Sequence, residues 1–346
     1  MRSLVTALVT ATLVAGVALA ATQTIAKKPA AVNAARIERG QHLVQIMRCG
    51  DCHTPGSFYG APDMDRWLAG SEMGWKGPWG VRYAANLTPD LDTGIGYWNA
   101  AEIAKTLRTG IRPDGTAIGA PMPIESYEQL TQPDAEAIAA YLLSLKPLKH
   151  KVPAALKPDD AVTGTVLAFP PPSGWDAPRG HSADAPAQAA ATSAMVAQGS
   201  YLVSITACNE CHTPGTYYGA PDHARFLAGS EMGWAGSWGV VYAANLTPDA
   251  ETGLGKWSVA EIAKAIRTGN RPDGRQLATA MPWPDFAHMT DAEATAMATY
   301  LKSLAQVRHA VPPPVAPGTE PKGPVLTFPP PSAWDAPKSA TETGKQ

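Results

Sequence analysis

A constant spacing of 159 residues runs through this 346-residue chain. It relates Gly40 to Gly199, Cys49 to Cys208, His53 to His212, Asn86 to Asn245, Trp98 to Trp257, Met122 to Met281 and Tyr141 to Tyr300. The tails repeat as well: Phe169-Pro-Pro-Pro and Trp175-Asp-Ala-Pro return as Phe328-Pro-Pro-Pro and Trp334-Asp-Ala-Pro. An offset that never drifts means duplication without insertion or deletion inside the unit, so both copies are expected to share one fold. Two such units make two domains rather than a solenoid. The expected bounds are 35–179 and 195–338, with compact parts ending near 146 and 305 and a Pro-rich extension after each. The stretch 180–194, rich in alanine and small polar residues, reads as the linker.

Within each unit the residues that carry chemistry are Cys49-Gly-Asp-Cys52-His53 and Cys208-Asn-Glu-Cys211-His212, which use all four cysteines of the chain. C-x-x-C-H is the attachment pattern of a c-type haem. Each thiol adds across a haem vinyl group to give a thioether, and the adjacent histidine binds the iron. The two cysteines must lie within one helical turn to reach both vinyls, which accounts for the short spacing. Two motifs imply two covalently attached haems. The competing readings are a redox dithiol and part of a zinc site. Neither explains a histidine after the second cysteine twice over.

Residues 1–20 join a basic start, Met1-Arg2, to an apolar Leu4–Leu19 stretch and a small-residue end, Ala18-Leu19-Ala20. This reads as a secretory signal peptide, with an uncleaved anchor as the alternative. A periplasmic location follows, with membrane association only through a partner or that anchor. A formal net charge of −2 gives no basic field for nucleic acid. The 33 prolines and 31 glycines call for long loops and extended segments between short helices.

The first unit parses into a helix over about Ala35–Cys49, with Gly40, Leu43, Val44 and Met47 on one face. A long loop follows, holding Phe58, Tyr59, Trp67, Trp75, Trp79 and Tyr83. Asn86-Leu-Thr-Pro-Asp is a turn signal, and a helix over roughly Ala100–Thr109 is capped by Gly110. Met122 lies between two prolines. A last helix runs from Asp134 to about Leu145 and stops at Pro147, and the proline-rich tail 146–179 cannot be helical over most of its length. The fold class expected from this order is all-α.

That order resembles a class I c-type cytochrome, in which the first and last helices cross beside the haem. The crossing is what the resemblance implies, and Gly40 and Gly199 would permit it because they lack side chains. Asn-Leu-Thr-Pro-Asp-x-x-Thr-Gly-x-Gly, Arg-Pro-Asp-Gly and Met-Pro are similar to the cytochrome c subunits of membrane-bound alcohol and gluconate dehydrogenases. The likeness covers roughly Ala35–Leu145 and Met195–Leu304. Those subunits commonly carry three haems, against two motifs here.

The iron's sixth ligand separates a carrier from an enzyme, because a histidine/methionine pair closes the iron to substrates and raises its potential. Two methionine pairs recur at the repeat offset. Met122 and Met281 stand in Pro-flanked loops at the position of the family's ligand, so the resemblance implies haem ligands His53, Met122, His212 and Met281. Met73 and Met232, in Ser-Glu-Met-Gly-Trp, are expected to pack against haem or tryptophan. His150 and His309 also recur and are competing ligands, although a basic, proline-bounded setting favours a surface position. His42, His181, His223 and His288 have no partner at the offset and are expected in solvent. Arg112/Arg271 and Trp98/Trp257 read as turn and packing residues, with contact to haem propionates as the alternative. Asn86 and Asn245 read as turn formers.

The expected function is electron carriage between a dehydrogenase or other donor and a respiratory acceptor, with redox proteins as partners and no catalytic residue of its own. The alternative is a dihaem enzyme such as a cytochrome c peroxidase. That requires one open haem, whereas both ligand loops keep Met-Pro.

Overall fold

The computed structural model describes residues 28–57, 62–170, 193–216, 220–321 and 323–328. The proposed signal peptide, most of the linker, Phe58, Tyr59 and His181 lie outside these residues. Each repeat begins with a helix, α1 (Lys28–Ile46) or α6 (Ala194–Ile205), followed by the short motif helix α2 (Cys49–His53) or α7 (Cys208–His212). In α1 the spacing of Gly40, Leu43 and Val44 makes one buried stripe, which Met47 continues just past the helix end. The break between α1 and α2 is a single left-handed residue, Arg48 at φ 59°, matched by Ala207 at φ 57°. Neither is glycine, so the turn that aims the motif is held by its surroundings at the cost of local backbone strain.

Next come α3 (Ala100–Thr109) and α8 (Val259–Thr268). Each is opened by a reciprocal capping box, Asn99 with Glu102 or Ser258 with Glu261, and closed by a left-handed glycine, Gly110 or Gly269. Short α4 (Ile124–Tyr127) and α9 (Trp283–Phe286) follow the methionine loops, and α5 (Gln132–Ser144) and α10 (Asp291–Ser303) end the helical part. Helix α5 packs on α1 and α3, and α10 packs on α6 and α8. A Cβ built on Gly40 would stand 1.9 Å from the Ala137 carbonyl oxygen, and one on Gly199 would stand 2.0 Å from that of Ala296. The first and last helices therefore cross in backbone contact at the two glycines.

The expectation of an all-α chain is overturned by a six-stranded mixed sheet. Its strands are β1 (Gly74–Gly77), β2 (Gly80–Tyr83), β3 (Val166–Ala168), β4 (Gly233–Gly236), β5 (Gly239–Tyr242) and β6 (Val325–Thr327), in the order β2-β1-β3-β6-β4-β5. Each repeat contributes a hairpin and one parallel strand from its Pro-rich tail, and the halves meet antiparallel at Ala168↔Thr327. The strands escape a pattern-based reading because they are three or four residues long, the hairpin strands carry glycines, and β3 and β6 pair with strands distant in sequence. The proline-rich tails thus have a structural task, which is to join the repeats.

The helical cores also merge. One cluster of buried side chains runs from Leu43, Ile46 and Ile138 of the first repeat to Leu202, Ile205 and Met297 of the second. Polar contacts cross the same boundary under a pseudo-twofold relation. The Tyr201 hydroxyl donates to Asp134 at 2.6 Å, and at the equivalent place His42 Nε2 lies 2.9 Å from Glu293. Arg39 adds a two-point ion pair to Asp134 and a longer one to Glu293. His42, expected in solvent, is therefore part of the contact between repeats. His223 and His288 are exposed, as their lack of a repeat partner suggested.

Glu293 is 6% exposed, and despite its burial the bonds from His42 and the Thr290 backbone hold its carboxyl down at about 2. A carboxyl with a folded pKa below its unfolded value stabilises the fold above the unfolded value, and that stabilisation is lost as pH falls through the folded one. Unfolding titrations should show Glu293→Gln costing about 2 kcal/mol at neutral pH. The variant should also show less of the parent's loss of stability between pH 4.5 and about 2. An equal acid slope in both proteins would contradict the assignment.

Candidate haem sites

Both motifs are built alike. Cys49 and Cys52 stand three residues apart on α2, as Cys208 and Cys211 do on α7, so each pair shares a helix face. Burial, followed by the charge of Asp51, pushes the Cys49 and Cys52 thiols up to about 12. Burial also raises Cys208. A redox dithiol needs the opposite shift, towards the thiolate, so the environment argues against that reading.

The histidines show how well the site suits an iron. His53 and His212 are each 8% exposed. His53 Nδ1 lies 2.7 Å from the carbonyl oxygen of Ala85, and His212 Nδ1 lies 2.7 Å from that of Ala244. A carbonyl only accepts, so Nδ1 carries the hydrogen and Nε2 keeps its lone pair. Burial lowers both pKa values and favours the neutral ring. A neutral imidazole with its outer nitrogen tied to the backbone and its inner one open is the form that ligates iron. The chain's residues therefore fit covalent haem. Sequence reasoning did not find Ala85 and Ala244, because a carbonyl acceptor leaves no trace in side-chain type. Their only signal is position, directly before Asn86 and Asn245.

Those asparagines hold the segment in place. Asn86 Nδ2 donates to the Leu148 carbonyl at 2.7 Å and to Thr93 at 3.1 Å, while its Oδ1 accepts from the Thr88 backbone and hydroxyl. Asn245 makes the same bonds to Val307, Thr252 and Thr247. Each is 1% exposed and does more than form a turn, since it ties the loop that orients the histidine to the segment after the last helix.

Met122 and Met281 are half-buried and pack against the helical core. Met73 and Met232 lie elsewhere, 4% exposed among Trp75, Phe169, Trp234 and Phe328 beside the sheet. The expected packing against tryptophan is what the structure shows for this second pair.

Residues 196–305 match the cytochrome c family model. The second repeat is a cytochrome c domain. Such a domain carries covalently bound haem c, and the first repeat duplicates its motif, loops and helix order. The chain is also 30% identical over 318 residues to the fructose dehydrogenase cytochrome subunit of Gluconobacter japonicus, covering 86% of this chain and 58% of that protein. It is 30% identical over 286 residues to the alcohol dehydrogenase (quinone) cytochrome c subunit of Gluconobacter oxydans, covering 79% and 55%. A diheme cytochrome c-type protein of Cereibacter sphaeroides is 28% identical over 276 residues, covering 77% and 85%. The chain thus spans little more than half the length of the two dehydrogenase subunits.

Around the cytochrome c sites the competing ligands are otherwise engaged. His150 Nδ1 donates to the Ala69 carbonyl at 2.7 Å, and Nε2 lies 2.6 Å from Glu72. His309 repeats this with Ala228 at 2.8 Å and Glu231 at 2.7 Å. With both ring nitrogens held by oxygens, neither histidine offers a lone pair to iron. Replacing His150 and His309 with glutamine should leave the haem spectrum unchanged, whereas bis-histidine ligation would give an altered, lower-potential haem. The expected stability loss is about 1 kcal/mol per site for the hydrogen bonds weakened.

Arg112 is a turn residue: its side chain donates to Thr116 Oγ1 and the Ala117 carbonyl. Arg271 lies 5.3 Å from the Trp257 ring centroid and pairs with Asp273. Trp67 Nε1 donates to the Tyr141 hydroxyl at 3.1 Å, and its ring covers Gly50 on the motif helix so closely that a Cβ there would meet it at 2.6 Å.

Among the described residues no helix is long and apolar enough to cross a membrane.

Proposed function

We propose that the chain is a periplasmic dihaem cytochrome c that carries electrons from a dehydrogenase towards a respiratory acceptor. Each haem is held by a cysteine pair, Cys49 and Cys52 or Cys208 and Cys211. Its iron would be held by His53 and Met122 in the 35–179 domain, or by His212 and Met281 in the 195–338 domain. The observation that carries this reading is the duplicated, backbone-tethered histidine, neutral by burial and open at Nε2, directly behind each cysteine pair. When bound, the haem supplies one-electron chemistry at the iron. The protein's part is to keep the imidazole in one tautomer, exclude water with tryptophan and aliphatic side chains, and supply the thioether sulfur of Met122 or Met281 as a further ligand. Low-polarity surroundings and a sulfur ligand both tune the potential.

Relatives named as cytochrome subunits of fructose, alcohol and gluconate dehydrogenases support a dehydrogenase donor. The test is stopped-flow mixing of oxidised holoprotein with such a dehydrogenase and its substrate. Reduction of both haems, with no peroxide turnover by the chain alone, is expected. Peroxide turnover would favour a dihaem peroxidase instead.

The ligand loops differ between repeats. Ile111 becomes Asn270, Thr116-Ala117-Ile118 becomes Arg275-Gln276-Leu277, and Ile124-Glu125 becomes Trp283-Pro284. The Trp283 ring lies against Gly269 and donates to the Leu277 carbonyl, whereas Ile124 only fills the equivalent space against Gly110. Different packing beside the two methionines should give different potentials, and so a direction to electron flow. A redox titration should resolve two midpoints, and a single shared midpoint would remove this claim.

A further inference from the structure

The joined sheet carries a second buried cluster, separate from the helical core. Met73, Trp75, Leu167 and Phe169 come from the first repeat, and Met232, Trp234, Leu326 and Phe328 from the second. Phe169 and Phe328 directly follow β3 and β6, the strands that meet across the pseudo-twofold. Within each half the rings are in contact. Phe169 lies 6.1 Å from Trp75 and 5.3 Å, edge to face, from Trp79, and Phe328 lies 6.1 Å from Trp234 and 5.4 Å from Trp238. Cys52 of the first repeat and Cys211 of the second both pack against this cluster. These are the second cysteines of the two motifs, so one dry layer touches one attachment point in each, while the first cysteines, Cys49 and Cys208, pack against the merged helical core.

We infer that this methionine–aromatic layer is the route by which an electron would pass from one haem site to the other within a single molecule. The inference rests on the proposed dihaem reading and adds the residues that connect the sites. In that step one iron would give up one electron and the other would take it, so the oxidation and the reduction balance within the molecule and no bond is made or broken. Close packing matters because a void interrupts the chain of atoms in contact. It also explains the attached Pro-rich tails: each delivers one phenylalanine to the layer and one strand to the seam.

A different contact also links the repeats near the motifs, and it differs in kind. Ser126 on α4 lies 3.2 Å from Asn209 and 3.4 Å from Glu210 on α7, while Phe286 on α9 lies 6.0 Å from the Arg48 guanidinium. It is polar, and it reaches the residues between the cysteines and beside them. It serves as the control for the assignment.

The test uses holoprotein, reduced part-way and examined by exchange NMR of the paramagnetically shifted haem methyl signals. In the parent protein, haem-to-haem exchange should be independent of protein concentration. In Phe169→Ala/Phe328→Ala it should slow by about tenfold or more, because two cavities open in the layer. Should the alanine pair fail to fold, the Phe169→Leu/Phe328→Leu pair takes its place, with about threefold slowing expected from the smaller gap. Ser126→Ala should exchange at the parent rate. An unchanged rate in a folded, fully haem-loaded phenylalanine variant would overturn the inference. So would slowing confined to Ser126→Ala, or parent exchange that scales with concentration. Haem content and the ligand spectrum are read on the same samples, so failure of the dihaem reading shows there and is distinct from failure of the route.

Discussion

Gly40→Ala and Gly199→Ala should each destabilise the protein by about 3 kcal/mol or more, although alanine is the better helix former by about 1 kcal/mol. The new methyl carbon would stand 1.9 Å from the Ala137 carbonyl oxygen and 2.8 Å from Tyr141 Cβ, or 2.0 Å from the Ala296 oxygen and 2.7 Å from Tyr300 Cβ. Both obstacles are backbone or the root of a side chain, so no rotamer change relieves them. The helices must move apart, and the movement opens the core around Leu43 and Ile138, which are 0% and 1% exposed. Single losses of that size are a large part of the roughly 5–15 kcal/mol that holds an ordinary domain together. The double variant should give little soluble holoprotein. The measurement is denaturant unfolding followed by far-ultraviolet circular dichroism, with Gly164→Ala as control, since nothing lies within 4 Å of a Cβ built there. A Gly40→Ala protein as stable as its parent would mean that the α1–α5 crossing is looser than described.

Removing a proposed sulfur ligand should have the largest effect on function. Met122→Ala or Met281→Ala leaves the cysteines, the histidine and its carbonyl tether in place, so haem should still be attached, but one iron loses its sixth ligand. About half of the sulfur-to-iron band in the near-infrared should disappear, and that haem should bind carbon monoxide at a lowered potential, since thioether sulfur favours Fe(II). Met73→Leu and Met232→Leu should keep the whole band, because these side chains belong to the layer beside the sheet. Loss of the band in the Met73 or Met232 variants, with retention in the others, would reverse the ligand assignment.

How much of this was legible in the sequence depended on the range of the interaction involved. Helix α3 lies where the sequence placed it because its end signal, Gly110, is local, and the Asn99–Glu102 capping box that the structure shows at its start is equally local. The motif and its histidine were legible because covalent chemistry fixes their spacing. Gly40 and Gly199 were legible once the resemblance supplied the helix crossing. The sheet was not, because β1 pairs with β3 some ninety residues onward in a proline-rich tail, and neither strand is long enough to show an alternating pattern. The role of His42 was missed for a related reason. It has no counterpart histidine at the repeat offset, yet Tyr201 occupies its position and makes the equivalent bond to Asp134. A repeat can conserve an interaction while changing the residue that makes it. The carbonyls of Ala85 and Ala244 were illegible in principle, because every residue has one.

The most direct test of two histidine/methionine haems in one chain is the optical spectrum of purified holoprotein, oxidised and reduced, with the haem-to-chain ratio measured on the same sample and peroxide and carbon monoxide added. The account predicts two haems per chain, a near-infrared sulfur-to-iron band of matching intensity, and no response to either probe. A single haem per chain, a high-spin signal in the oxidised form, or binding of carbon monoxide at one site would contradict it.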